Sequence, residues 1–326
     1  MSHPTYSIEE SGRVGWVDIA KGITMLIVIW MHVRNNMPSC EMYAQLNRCF
    51  SILYMPCFFI ISGFFLKEES FPIYLKKKAR TLLLPLFFVY VLSFAIAWLI
   101  SRYVPGILKN DVAFSNLFLS HVFTNGPIWF LSALFFALVI VYFIKKTKNE
   151  VIQLILALTI SLLGFYWNKI VEWRLPMFWD SGLTAVFFVW FGKYVKIILD
   201  KISNRLYCCV LGAITLIVSY LFGATAEMQM NIYNLSPIKY YLLASIGSIS
   251  ILFLSKAINE SLFLQYVGKN SLIVLCFHMF VVMGVCMVCK MFLCPQISIP
   301  LAFVLSTLLS TMIIPIIKKI FFFVFR

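Results

Sequence analysis

A chain of 326 residues, 62% hydrophobic and 12% charged with a mean hydropathy of +0.92, is not a soluble globule, in which roughly half the residues are apolar and about a quarter charged. The formal charge of +14 does not mark a nucleic-acid binder, because the basic residues are scattered between apolar runs and no nucleic-acid motif accompanies them. What remains is an all-α, polytopic membrane helix bundle surrounded by lipid.

Runs of about 17 to 22 apolar residues predict transmembrane helices. Ten are found, at 14–33, 49–66, 82–100, 128–144, 151–168, 181–198, 206–223, 240–255, 271–292 and 299–317. The first, WVDIAKGITMLIVIWMHV, holds Asp18, Lys21 and His32. Lys21 and His32 are eleven residues apart, about three helical turns, so both project from one face roughly 16 Å apart along the axis. Asp18 lies one turn earlier on the same stripe. An acid, an amine and an imidazole in one span are costly unless they face protein or water, and such residues mark functional sites. For Asp18 and Lys21 a simpler reading competes: an i, i+3 pair at the membrane edge, with Lys21 snorkelling to the headgroups.

The second span, YMPCFFIISGFFL, contains Pro56 and Ser62-Gly63, residues that let neighbouring backbones approach. The segment KKKARTLLLP follows, and its Lys76, Lys77, Lys78 and Arg80 suit either anionic lipid or a phosphate clamp, for which the planar fork of Arg80 is best shaped. Segment 101–127, with Arg102, Asp111, His121 and Asn125 among apolar residues, reads as an interfacial helix, a re-entrant cover or a plain amphipathic loop. The fourth span opens with GPIWFLSALFF and places Trp129 at the interface, where belt tryptophans are ordinary. Asp180 precedes the sixth span, either binding hydroxyls or, as the preferred reading, capping a helix that begins at Ser181. The ninth span, NSLIVLCFHMF, sets Ser271 and His278 seven residues apart on one helical face. A second intramembrane histidine beside His32 points to a shared polar cavity. The nine cysteines form no framework: Cys286 and Cys289 have CxxC spacing but lie in an apolar span, which argues against a metal or redox role, and no metal is expected.

Eighteen of the Lys and Arg residues fall at the N-terminus, at the C-terminus or in loops on that side, eight fall in the opposite loops, and Lys21 lies within the first span. The positive-inside rule then makes both termini cytoplasmic. The first span is long, carries Lys21 and lacks a small-residue cleavage site, so it is expected to be retained. No soluble domain, repeat or linker interrupts the spans, and residues 1–326 read as one membrane-embedded domain.

Five segments in order, RVGWVDIAKGITMLIVIWMH, YMPCFFIISGFFL, KKKARTLLLP, GPIWFLSALFF and GKNSLIVLCFHM, resemble the acyltransferase 3 family over nearly the whole chain. Members are integral-membrane O-acyltransferases, many of which acetylate sugars of bacterial surface polysaccharides. The segment LPMFWDSGLTAVFFVWFGKYVK is similar to the branch related to fucose 4-O-acetylases. The resemblance implies a bacterial inner-membrane enzyme with acetyl-CoA as acyl donor and a glycan or lipid-linked oligosaccharide as acceptor. The family's motif of a basic residue and a histidine eleven positions on maps to Lys21 and His32, its basic residues at the third span to Lys77, Lys78 and Arg80, and its WFL segment to Trp129, Phe130 and Leu131. Lysine stands at Lys21 where many members have arginine. Tyr54 stands where many have a histidine, and no role of that histidine carries over.

Acyl transfer to an alcohol needs a base, donors to the oxyanion and room for the carrier. His32 is the expected base. Lys21, Lys78 and Arg80 are the expected ligands of the carrier's phosphates, with the pantetheine arm spanning the distance to His32. Asp18 lies about 21 Å along the helix from His32 and cannot orient it, so a partner from another helix is required. The acceptor is expected to enter from outside past Trp129, Asp180 and segment 101–127, with Ser271 and His278 in support. A flippase of polysaccharide precursors, an O-succinyltransferase and a non-catalytic sensor are the alternatives, although no inverted repeats favour a transporter.

Overall fold

The structure, a computed structural model, describes residues 14–103, 125–292 and 294–325. Among them ten helical segments are long and apolar enough to cross a membrane. They are α1 (Gly15–Asn35), α2 (Ala44–Gly63), α3 (Phe71–Lys78) continuing through a π-helical turn at Ala79–Leu83 into α4 (Leu84–Tyr103), α5 (Trp129–Ile144), α6 (Glu150–Ile170), α7 (Trp179–Lys201), α8 (Arg205–Phe222), α9 (Pro237–Ile258), α11 (Ser271–Phe292), and α12 (Pro295–Met312) followed by α13 (Ile314–Ile320). A short helix, α10 (Leu262–Lys269), precedes α11. The polytopic bundle read from the sequence is the fold observed. Its third crossing starts earlier than position 82, because Pro72 in the first turn of α3 opens a basic helix that runs on into the span.

Apolar sequence makes these helices stable in lipid, where every backbone group needs an internal partner, and local signals set their ends. The Asn149 side chain accepts from the Val151 and Ile152 amides at 2.9 and 3.3 Å, and Asn204 accepts from the Tyr207 amide at 3.1 Å; both are N-caps. Most of α1, α2 and α5 is buried, whereas only 28% of the α6 window and 17% of the α8 window are. Ile155, Leu163, Ile214 and Leu221 are exposed, so α6 and α8 turn apolar faces outward to lipid.

Two close crossings tighten the centre. A Cβ on Gly63 would sit 2.1 Å from the Val189 carbonyl oxygen, and one on Gly192 would sit 2.2 Å from that of Ile60, so α2 and α7 meet backbone to backbone at the Ser62-Gly63 step. In the same way Gly22 lies against Leu264 and Gly268 against Asp18, which seats α10 on the first turns of α1.

Loop contacts sort the bundle's ends. At one end Lys256 lies over the Trp16 ring at 5.9 Å, the Tyr142 hydroxyl donates to the Glu69 carbonyl at 2.9 Å and Lys193 pairs with Glu150 at 3.2 Å. At the other end the Tyr43 hydroxyl donates to the Gln296 carbonyl at 2.8 Å, and the Ser51 hydroxyl to that of Ala224 at 3.1 Å. The basic-rich loops thus gather at the first end and the basic-poor loops at the second. The second end also carries an antiparallel pair, β1 (Ala226–Glu227) and β2 (Ile232–Tyr233), with Ala226 opposite Tyr233; two-residue strands leave no periodic trace in sequence.

Candidate active site

The stripe on α1 opens onto two cavities. Lys21 lines the smaller, of about 180 Å³, together with Ser62, Thr81, Ser271 and apolar side chains including Phe58 and Leu131. His32 lines the larger, of about 560 Å³, at the basic-poor end. Leu275 on α11 lines both, and is the one residue of the described chain that borders the two. The α1 rise fixes Lys21 and His32 about 16 Å apart along the axis, so the stripe runs from one cavity to the other.

Asp18 is buried and pairs with the Lys21 ammonium at 3.3 Å, while Lys21 also stands 5.5 Å from the centre of the Phe65 ring. The i, i+3 pair is therefore present, and it borders a cavity. Lys78 lies 5.5 Å from the Tyr74 ring and Arg80 is exposed. Neither lines the smaller cavity; Thr81 and Leu82, from the same π-helical turn, do. Within that turn it is thus Thr81 and Leu82, not the exposed Arg80, that reach the cavity wall. Lys77 is held by Glu69 at 2.7 Å.

The larger cavity is polar. Arg34, Asn35, Asn47, Arg48, Tyr54 and Glu227 contribute to its lining. The Asn47 side chain is fixed by the Trp30 indole N–H, which donates to its Oδ1 at 2.8 Å. Trp129 is not a lipid-facing belt residue: it is buried, forms part of the cavity wall and packs against Phe59 and Phe178 with ring centres 6.5 and 6.4 Å away. Met177 and Phe178 have φ of 55° and 60°, left-handed values unusual for side chains of this size. That turn delivers the Phe178 ring to the back of Trp129.

Asp180 does not cap a helix. Helix α7 starts at Trp179, one residue before it, and its N-cap Phe178 makes no side-chain cap bond. Asp180 is instead fully buried, with the Arg174 guanidinium on one carboxylate oxygen and the Asn231 amide donating to it at 3.2 Å. Asn231, at φ 51°, accepts at its Oδ1 from the Thr184 and Tyr233 hydroxyls at 2.9 and 3.0 Å. Burial pushes the Tyr233 phenol well up, so it enters this network as a neutral donor. Arg174 and Ser181 both donate to the Gln229 carbonyl, at 2.7 and 2.8 Å. The network pins the β1–β2 turn so that Thr225, Glu227 and Gln229 form one wall of the larger cavity. Asp180 itself does not line that cavity, and it acts on it only through this turn.

Ser271 and His278, two turns apart on α11, divide between the two levels. Ser271 borders the Lys21 cavity, and the His278 ring centre lies 5.1 Å from that of His32. Of segment 101–127, Asp111 and His121 lie outside the described residues, whereas Asn125 is buried and donates to the Cys276 carbonyl at 2.8 Å. The wall formed by Tyr54, Glu227 and the turn at 225–233 was not anticipated. The polar stretch after Gly223 was its only trace in sequence.

The model of an acyltransferase domain, that of the acyltransferase 3 family, matches residues 14–318. Comparison with curated proteins and with solved structures gave no match. The matched range contains both cavities, the Lys21–His32 stripe and all but the last residues of the tenth crossing, and the chain therefore belongs to the acyltransferase 3 family as a multi-pass membrane acyltransferase.

Proposed function

We propose that residues 1–326 form one O-acetyltransferase domain of a bacterial inner membrane, similar to the fucose 4-O-acetylase branch, that moves acetyl from cytoplasmic acetyl-CoA to a hydroxyl of an exported or surface glycan. The observation that carries this reading is the pair of unlike cavities meeting at Leu275, with Lys21 in one and His32 in the other. The small cavity is narrow and mostly apolar, which suits an extended thioester arm. The large one offers guanidinium, amide, phenol and carboxylate groups beside an indole face, which suits a polyhydroxylated acceptor.

In this reading the positive-inside rule puts the Lys21 end in the cytoplasm. Lys21, with Lys78 and Arg80 further out, meets the phosphates of the carrier, and the thioester carbonyl arrives past Leu275. His32 removes the proton of the acceptor hydroxyl as its oxygen attacks the carbonyl carbon, then returns it to the departing thiolate. Trp129 gives the sugar a flat apolar face. The test is transfer of labelled acetyl from acetyl-CoA to glycans by purified protein, alongside mass spectrometry of surface glycans with and without the gene. A glycan gain of one acetyl mass supports the reading; succinyl in its place would reassign the donor, and an unmodified glycan in both assays would overturn it.

A further inference from the structure

Among the described residues no carboxylate makes a hydrogen bond or ion pair with His32, although Glu227 borders the same cavity. Asp18 is committed to Lys21 and stands about 21 Å away along the helix, while Asp180 is committed to Arg174 and Asn231. What does face His32 is a second imidazole whose own protonation pattern the backbone fixes. His278 Nδ1 lies 2.8 Å from the Val274 carbonyl oxygen and 3.1 Å from that of Leu275. Both are acceptors only, so Nδ1 carries the proton and Nε2 of the neutral ring is left as an acceptor. Nε2 is fully buried and has no hydrogen-bond partner among the described residues, an arrangement that native proteins rarely keep without use. The His32 ring is 5.1 Å away, centre to centre, with the planes tilted by 54°.

We infer that His278 is the positioning residue for His32, accepting the N–H of one His32 ring nitrogen at its Nε2 and so leaving the other nitrogen free to take the acceptor's proton. The inference rests on the acyltransferase reading above. The two rings are in contact without a direct hydrogen bond between them, and catalytic hydrogen bonds of this kind are often long before the Michaelis complex forms. The balance of the step is simple. The hydroxyl proton passes to the free nitrogen of His32, the hydroxyl oxygen bonds to the acyl carbon, the carbon–sulfur bond breaks, and the imidazolium gives the proton to the thiolate. His278 neither gains nor loses a proton; its lone pair holds the imidazolium N–H while the charge exists. Leu275 links this pair to the donor route, since its carbonyl helps to fix His278 and its residue borders both cavities.

Positioning and packing make opposite predictions for substitution. His278→Gln keeps an acceptor in the form of the amide oxygen, whereas His278→Leu fills the apolar site without one. If His278 positions His32, kcat falls at least ~10-fold in the Leu variant with the KM for acetyl-CoA unchanged, and the Gln variant recovers part of the loss. The loss is also smaller with trifluoroethanol as acceptor than with ethanol, because a more acidic hydroxyl needs its base less. Acetyl-CoA consumption in both alcohols, with acetyl-CoA binding as the check on folding, reads all of this. A Leu variant as active as the Gln variant, or an equal loss with both alcohols, overturns the proposal. A wild-type protein that binds acetyl-CoA but turns it over with neither alcohol nor glycan overturns the acyltransferase reading, and the positioning role falls with it.

Discussion

At the scale of single residues the proposed function puts the chemistry on the α1 stripe, and substitutions there separate binding from reaction. His32→Ala is expected to cut transfer at least ~100-fold, the loss typical of a removed general base, with the detergent-solubilised protein still monodisperse; near-normal turnover would take His32 out of the mechanism. Lys21→Ala should chiefly raise the KM for acetyl-CoA, because it removes binding energy remote from the reacting carbon, whereas Lys21→Arg should be tolerated. Arg80→Ala should raise it less, since Arg80 is exposed and outside the lining of the Lys21 cavity. Steady-state kinetics on the three variants checks the order, and a larger effect at Arg80 would relocate the phosphate site. The stripe itself was legible because charge inside a span is rare and helical spacing places Asp18, Lys21 and His32 on one face. Two intramembrane histidines hinted at a shared site, but the contact of the His278 ring with His32 is a tertiary fact that no local pattern gives. Trp129 shows a milder limit: its position alone suits a lipid belt, the resemblance put it on the acceptor's path, and the fold turns it inward against Phe59 and Phe178.

At the scale of elements, the helices were readable and the turn was not. Ten apolar runs suffice to place ten crossings, since length and hydropathy settle a span, and the Ser62-Gly63 step marks a place of close backbone approach without naming α7 as the partner. Gly192→Leu is expected to destabilise the bundle by about 1 to 3 kcal/mol, the usual cost of overpacking, because its Cβ alone would meet the Ile60 carbonyl oxygen at 2.2 Å; an unchanged thermal midpoint would show that the helices part freely. The turn at 225–233 is held by side chains distant in sequence, Arg174, Asp180 and Thr184, and no local pattern announces it. Asp180→Asn should loosen that wall. It removes a charge-assisted bond while keeping shape, so the KM for the acceptor should rise on the order of threefold to tenfold and acetyl-CoA binding should not move. If donor and acceptor constants rise together, the network supports the whole bundle rather than the acceptor wall.

At the scale of the molecule, the question is which end faces the cytoplasm; loop contacts sort the two ends, and the positive-inside rule assigns them. Charge puts eighteen basic residues on one set of loops and its termini against eight on the other. Contacts among loops bring Trp16 to Lys256 and Glu150 to Lys193 at one end, and Tyr43 to Gln296 and Ser51 to Ala224 at the other. The first end is the basic one, and it carries the Lys21 cavity. If the donor is acetyl-CoA, as proposed, its phosphates are drawn to that end by charge and the membrane keeps it from the far side, so sidedness of labelling and sidedness of turnover must coincide. In a cysteine-free background, Lys148→Cys should react with an impermeant maleimide only from the cytoplasmic face and Glu172→Cys only from outside. In sealed proteoliposomes with acceptor enclosed, acetyl-CoA added to the face where position 148 is labelled should be consumed, and acetyl-CoA added to the face where position 172 is labelled should not. Consumption from the position 172 face would reverse the donor route and put the larger cavity, not the smaller, at the carrier's entrance.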